Sequence, residues 1–346
     1  MSNPLRTMMN NDEFSESTPL SPNTIRDIAY AFQRSRILLT AYELGLFTAL
    51  GDDSKSSTEV ATTLETDPRA TDRLMNALCA IGLLEKKGDK FSNTPAAAHF
   101  LVQGKPEYMT GLMHTVHLWD RWSTLTSAVR QGKSVATRPV NERGEKWLTA
   151  FIAAMHDRAR KQAPVVASIL NLSGVSRLLD VGGGPGTYAM SFVRAKEGIS
   201  ATVFDLPTVV PLTRAYIEKE GLADKIQTVA GDYTVDDLGS GYDLVFLSAI
   251  IHSNAVEENR KLIRKCVQAL NARGQLVVQD FIMDENRTSP ATGAFFALNM
   301  LVGTECGDTY TESEVRRWME EAGLSNITRK DTHLGTTLLI GKKSET

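Results

Sequence analysis

The stretch Arg177-Leu178-Leu179-Asp180-Val181-Gly182-Gly183-Gly184-Pro185-Gly186-Thr187 decides how the chain is read. Its apolar run, Leu178 to Val181, reads as a buried strand, and glycines at alternate positions, Gly182, Gly184 and Gly186, follow at once. The pattern predicts a strand, a tight turn and a helix start. Glycine belongs where the backbone takes positive φ, or where a ligand must lie against main chain with no Cβ between. The dinucleotide fingerprint G-x-G-x-x-G would place its third glycine where Thr187 stands. A nucleotide-type cofactor across the turn is one reading and a plain glycine-rich turn is the other, so the residues downstream have to decide.

A second strand, Ser200 to Phe204, ends in Asp205-Leu206-Pro207. In a parallel sheet an acid there points at the ribose hydroxyls of a cofactor bound across the first turn, for nicotinamide and adenosyl cofactors alike. A third strand, Lys225 to Ala230, ends in Gly231-Asp232-Tyr233, a carboxylate that can accept from an adenine amine beside an aromatic face that can stack on the ring. Glycine loop, ribose acid and adenine acid in this order are far more specific than the loop alone.

With these residues the chain resembles the S-adenosylmethionine-dependent methyltransferases of Rossmann-like fold. The fourth strand, Tyr242 to Ser248, runs into Ala249-Ile250-Ile251-His252-Ser253-Asn254. That narrows the resemblance to the small-molecule O-methyltransferases, similar to the plant caffeate, hydroxyneurosporene and acetylserotonin enzymes, with a histidine base here and a dimerising winged-helix domain in front. The likeness runs from about residue 25 to 342. It implies an α/β fold, a seven-stranded methyltransferase sheet behind an N-terminal mainly α winged-helix domain. It also implies S-adenosylmethionine, leaving as S-adenosylhomocysteine, held by Asp180, Gly182, Gly184, Gly186, Asp205, Leu206, Asp232, Tyr233 and Ser248. Ser248 stands where some relatives carry a cofactor-contacting Lys.

For the reaction, a phenol at pKa about 10 needs a base to deliver it deprotonated. His252 directly follows a strand at the cofactor edge and is the residue type that titrates near neutrality. Asp280 ends a fifth strand, Gly274 to Asp280, and matches the family's acid beside the histidine, where it would orient His252. Plant members read His-Asp-Trp where this chain reads His252-Ser253-Asn254. Their second acid would fall near Thr309, which cannot replace a carboxylate, and Glu305, close by in sequence, is the candidate substitute. For the acceptor pocket the expectation is Phe151 and Met155 on a helix, His117, and Phe296, Asn299 and Met300 on a helix rich in large apolar residues. Methylation of carbon or nitrogen, or non-methylating use of the cofactor, stays open, and an NAD-dependent dehydrogenase is disfavoured by Thr187.

The 346 residues predict about two domains, with 42% hydrophobic and 23% charged residues as in ordinary globular proteins. No run of about 18 apolar residues argues for a membrane span, and the polar stretch 1–22 reads as a disordered tail without a signal segment. A cytoplasmic protein is expected. Cys79, Cys266 and Cys306 are odd in number and widely spaced, which gives neither a disulfide framework nor a zinc site.

Residues 23–105 are expected to form the winged-helix dimerisation domain and 106–346 the methyltransferase domain. One long helix is predicted over 24–50 with a stop near Gly45, then two short helices, the second capped by Asp67 and opened by Pro68, then a hairpin turning at Gly88-Asp89. Winged helices often read DNA, yet residues 23–100 hold nine Lys or Arg against ten Asp or Glu, without the basic excess such a reader needs. A ligand-sensing regulator is therefore the weaker reading, and homodimerisation the one the resemblance implies. Residues 95–135 read as helical. Within them His114 and His117 are three apart, but no third ligand accompanies them, so no metal is expected. Trp147 to Leu170 is a further helix, expected to break or kink at Pro164.

Overall fold

The computed structural model describes residues 21–136 and 144–345. It divides into two compact units, 1–108 and 109–346. Of the expected tail, residues 1–20 lie outside the described residues, whereas Ser21 accepts from the Thr24 amide and caps a helix that begins at Pro22.

In the first unit the single helix expected over 24–50 is three: Pro22–Tyr30, Phe32–Glu43 and Leu46–Leu50. Gly45, at φ 74°, makes the second break. The first lies at Ala31, whose N–H bonds the Ile28 carbonyl in a tightened turn, and such a turn leaves no mark in composition. Asp67 accepts from the Ala70 amide and starts the helix Pro68–Ala80. The hairpin strands Leu84–Lys87 and Lys90–Asn93 are joined by the pair Lys55–Ser56 as a third strand. Phe47, Leu50, Met75, Leu78 and Phe91 fill the core of this unit.

The second unit is built on seven strands: β1 (Arg177–Val181), β2 (Ser200–Asp205), β3 (Ile226–Ala230), β4 (Tyr242–Ser248), β5 (Leu270–Asp280), β6 (Leu324–Asp331) and β7 (Thr337–Lys343). Their order is β6-β7-β5-β4-β1-β2-β3, all parallel except β7, which runs antiparallel to both neighbours. The order reverses between β1 and β4, and in such sheets a crevice for ligands opens beyond the strand ends at that point.

β1 is apolar on both sides because both faces are covered. Leu178, Val203, Leu244, Phe246 and Val277 pack on one face with Phe192 and Tyr188 of the helix Thr187–Ala195. Leu179, Val181, Val245, Leu247 and Val278 pack on the other with Leu262, Ile263 and Cys266 of the helix Val256–Ala269. β5 begins four residues earlier than expected, since Leu270 to Arg273 lack the alternation that marks a strand.

Between residues 95 and 135 the structure has the helices Pro95–Phe100, Leu112–Trp122 and Leu125–Gln131 rather than one continuous run. The helix Glu145–Ile169 passes through Pro164 unbroken. Pro164 is exposed, so the carbonyl it leaves unbonded faces water and the usual penalty is small. Among the described residues, no helix is long and apolar enough to cross a membrane.

Candidate active site

The glycine turn has the backbone that its sequence demands, with Gly182, Gly184 and Gly186 at φ 65°, 54° and 74°. A Cβ on Gly182 would stand 2.3 Å from Ile250 Cδ1, so that glycine is fixed by packing as well as by φ. A Cβ on Gly184 would meet only Ile152 Cδ1 at 3.8 Å, which leaves the turn open on that side. Thr213 Oγ1 donates to the Gly184 carbonyl at 2.6 Å and the Gly184 amide donates to Asp205 Oδ2 at 2.7 Å, so the turn is held on both sides of one residue. Thr187 opens the next helix and its hydroxyl lies 2.9 Å from His156 Nδ1.

Two carboxylates face this turn, Asp205 half-buried and Asp180 buried. Asp205 also accepts from the Leu206 amide at 2.7 Å, yet burial outweighs both bonds and pushes its pKa up to about 6. Asp180 is 1% exposed and its Oδ2 has no hydrogen-bond partner. Burial pushes it up to about 7, against an Ala189 amide bond that lowers it, and nearby Asp205 raises it further. A buried acceptor left open is costly unless a ligand fills it. Paired acids at a turn mouth suit a ligand that brings hydroxyls and positive charge, and they oppose a pyrophosphate.

The other expected cofactor residues are spread around the same edge. Asp232 Oδ1 accepts from the amide and hydroxyl of Thr234 in a local turn. The Tyr233 hydroxyl donates to Asn254 Oδ1 at 3.1 Å. Ser248 donates to Gln279 Oε1 at 3.3 Å and so borders a buried network in which Gln279 reaches Tyr188, Gln162 and Thr336.

His252 lies in a single turn of 3₁₀ helix, Ile251–Ser253, just beyond β4. Its Nδ1 is 2.8 Å from Asp280 Oδ1, and both residues are buried. An ionised carboxylate only accepts, so Nδ1 donates and Nε2 is left as the acceptor. Asp280 is otherwise satisfied, with Oδ1 also taking the Phe281 amide at 2.8 Å and Oδ2 the His252 amide at 3.4 Å. Phe296 meets the imidazole edge-on at 4.8 Å and packs on Phe281 at 4.3 Å. The Asp308 amide donates to the His252 carbonyl at 3.0 Å, and a Cβ on Gly307 would stand 2.4 Å from that oxygen.

Thr309 is buried, while Glu305 is exposed and makes no hydrogen bond or ion pair with the described residues. Asn254, where plant relatives carry an aromatic wall, is buried in a polar chain instead. It accepts from Tyr233 and bonds Asn259 Oδ1 at 3.2 Å, and Asn259 reaches the Ile251 carbonyl at 2.8 Å. Asn259 sits on the apolar face of its helix with Leu262, Ile263 and Cys266, and that placement was a readable sign.

The acceptor candidates lie on three helices. Phe151 stacks on Trp147 at 5.1 Å and meets His114 at 5.3 Å, and Met155 follows one turn later, half-buried. On Ala291–Gly303, Phe296 is half-buried and Met300 buried, and Asn299 accepts from Trp122 Nε1 at 3.1 Å. His117 has a buried Nδ1 with no partner. Arg158, unnoticed in the sequence, falls seven residues after Phe151 on the same helical face and lies 4.8 Å over the Phe281 ring. Among the described residues, no group of three or more His, Cys, Asp or Glu is placed to hold a metal ion.

Residues 122–325 match the O-methyltransferase domain and residues 27–103 the O-methyltransferase dimerisation domain. The chain is 33% identical over 314 residues to 3-hydroxy-5-methyl-1-naphthoate 3-O-methyltransferase of Streptomyces sahachiroi, a match covering 88% of this chain and 90% of that one. It is 30% identical over 345 residues to the N,N-dimethyltransferase OxyT of Streptomyces rimosus, across 94% and 99% of the two chains. Among solved structures it resembles PigF with SAH, at a TM-score of 0.87 and 25% identity, over 94% of this chain and 100% of that one. The chain belongs to the O-methyltransferase family. It is an S-adenosylmethionine-dependent methyltransferase with a dimerisation domain in front.

Proposed function

We propose that this enzyme methylates a hydroxyl of a small aromatic specialised metabolite, with His252 as general base and Asp280 as the residue that orients it. The observation that carries the reading is the buried 2.8 Å contact between His252 Nδ1 and Asp280, which turns Nε2 toward an incoming hydroxyl. S-adenosylmethionine, when bound, supplies a methyl group on a sulfonium sulfur. Gly182, Gly184 and Gly186 would present main chain to it, Asp205 and Leu206 would meet its ribose, Asp232 and Tyr233 its adenine, and Asp180 and Ser248 its remaining polar groups. Arg158, near Phe281 and Tyr188, is the cation available to a carboxylate end.

His252 takes the acceptor's proton at Nε2, and Asp280 stabilises the imidazolium that results. Phe151, Met155, His117, Phe296, Asn299 and Met300 hold the acceptor and keep water away, and alignment in a dry site supplies several kcal/mol of the barrier reduction. The naphthoate substrate in the name of the 33% identical relative supports an aromatic acceptor. The 30% identical OxyT gives a second reading, methylation of an amine in the same site.

We also infer a homodimer through the first unit. Ile25 and Ile28 of the helix Pro22–Tyr30 and Phe32 beyond it are more than half exposed, and that helix buries no residue within the single chain. A cytoplasmic enzyme fits three cysteines that form no disulfide.

The test is S-adenosylhomocysteine release with product mass spectrometry over a panel of phenols, hydroxylated aromatic polyketides and aryl amines. Transfer to oxygen, falling about a hundredfold or more in His252→Ala with cofactor affinity kept, is the expected result. Undiminished turnover in His252→Ala would remove the base assignment, and a product methylated on nitrogen would select the second reading.

A further inference from the structure

Arg121 stands in the last turn of Leu112–Trp122, on the acceptor side of the enzyme. Its side chain is half-buried, and among the described residues no carboxylate lies within 4.0 Å of it and it donates no hydrogen bond. Desolvation alone lowers its pKa, which is what a guanidinium withdrawn from water without a counter-charge experiences. Its guanidinium lies 5.3 Å over the Trp147 ring, and Trp147 is stacked on Phe151. One turn earlier on the same helical face is His117, whose buried Nδ1 is also unpartnered. A cation and a neighbouring imidazole nitrogen left open beside an aromatic stack form a site for an anion.

Arg121 also borders the helix that carries Phe296. Arg121 Nη1 would lie 3.5 Å from a Cβ on Gly303, at the C-terminal end of the helix Ala291–Gly303. The partial negative charge of that helix end steadies a cation but does not neutralise it. Phe296, which touches the His252 ring, is seven residues earlier, roughly 10 Å along the helix axis. One helix thus carries both the ring that meets His252 and the end beside Arg121, with Asn299 and Met300 between them.

We propose that Arg121, assisted by His117, binds an acidic substituent of the acceptor, so that an aromatic hydroxy acid is preferred over the same molecule without its negative charge. This rests on the reading of His252 as the reacting end. The carboxylate takes a charge-assisted bond from the Arg121 guanidinium, and the ring system lies along Phe151 and Phe296. Arg121 is a specificity residue and takes no part in proton transfer.

The experiment compares 6-hydroxy-2-naphthoate with its methyl ester, by calorimetric binding to the S-adenosylhomocysteine complex and by turnover, in the wild type, Arg121→Met, Arg121→Lys and His117→Ala. The expected result is about tenfold tighter binding of the acid by the wild type. That preference disappears in Arg121→Met and returns in part in Arg121→Lys, with binding of the ester unchanged in both, and it shrinks in His117→Ala. In turnover the loss falls on KM for the acid, with kcat kept. Equal losses for acid and ester, a wild type that binds the acid no better than the ester, or no binding of the acid would each overturn the proposal. If Arg121→Met does not fold, Arg121→Lys and His117→Ala carry the same comparison. Acid held through Arg121 without methyl transfer would count against the His252 reading and leave the anion site standing.

Discussion

Two buried aspartates end strands of the same sheet, and they are furnished in opposite ways. Strand alternation puts Asp180 of β1 on the face that carries Leu178 and Phe246, and Asp280 of β5 on the face that carries Val278 and Leu247. Asp280 has its oxygens met by the His252 ring, the His252 amide and the Phe281 amide. Asp180 keeps an oxygen with no partner and is pushed up to about 7 by burial. A carboxylate completed by its own protein serves position, whereas one left incomplete waits for a ligand. The site is thus assembled from a finished end, around His252, and an unfinished end, around the glycine turn.

The comparison is broken most severely at the finished end. Asp280→Asn keeps the shape but can present an amide N–H to Nδ1, which favours the wrong imidazole tautomer. Turnover is expected to fall about a hundredfold or more, with S-adenosylhomocysteine binding unchanged in calorimetry. A loss below about threefold would mean that Asp280 does not set the tautomer.

At the unfinished end the largest effect is on stability. Asp180 has a folded-state pKa above its ordinary value, so the folded chain binds the extra proton, and stability declines as pH rises from about 4 to 7. Asp180→Asn removes that decline. It is expected to make the cofactor-free protein more stable at pH 8 by about 2 kcal/mol in urea unfolding, while weakening cofactor binding. A variant less stable than the wild type at pH 8 would show that the open oxygen is paired in solution.

The smallest effect concerns affinity and pH. Asp205 and Asp180 ionise as pH passes through about 6 and 7, and ionised carboxylates accept better from hydroxyl and ammonium donors. Affinity for S-adenosylhomocysteine should therefore rise about tenfold between pH 5.5 and 7.5, read by calorimetry in two buffers of different ionisation enthalpy. A flat profile would put the ligand's donors elsewhere.

Much of this architecture is written locally. The three glycines take positive φ where the spacing predicted a turn, and Thr311 with Glu314 forms the capping box that opens the helix Glu312–Glu321. His252 and Asp280 are 28 residues apart in sequence, yet Asp280 ends β5 and His252 lies in the short turn just after β4, and adjacent parallel strands bring these positions together. What escaped is set by partners far along the chain. Arg158 and Arg121 look like ordinary surface cations until the rings of Phe281 and Trp147 are placed beneath them. Asn254 reads as the absence of an aromatic, and only its bonds to Tyr233 and Asn259 show what took that space. Pro164 signals a break, and exposure at that turn removes the reason for one.

The helices Leu112–Trp122 and Ala291–Gly303 lie outside the sheet, and in the proposed reading they carry much of the acceptor wall. A substitution there, Phe296 apart because it meets the His252 ring, changes the acceptor's surroundings and leaves the glycine turn, Asp205 and Asp280 as they are. New acceptors can accordingly be tried one side chain at a time, on a scaffold whose expensive parts are already settled. Duplicated genes of such an enzyme can diverge in diet while sharing one engine.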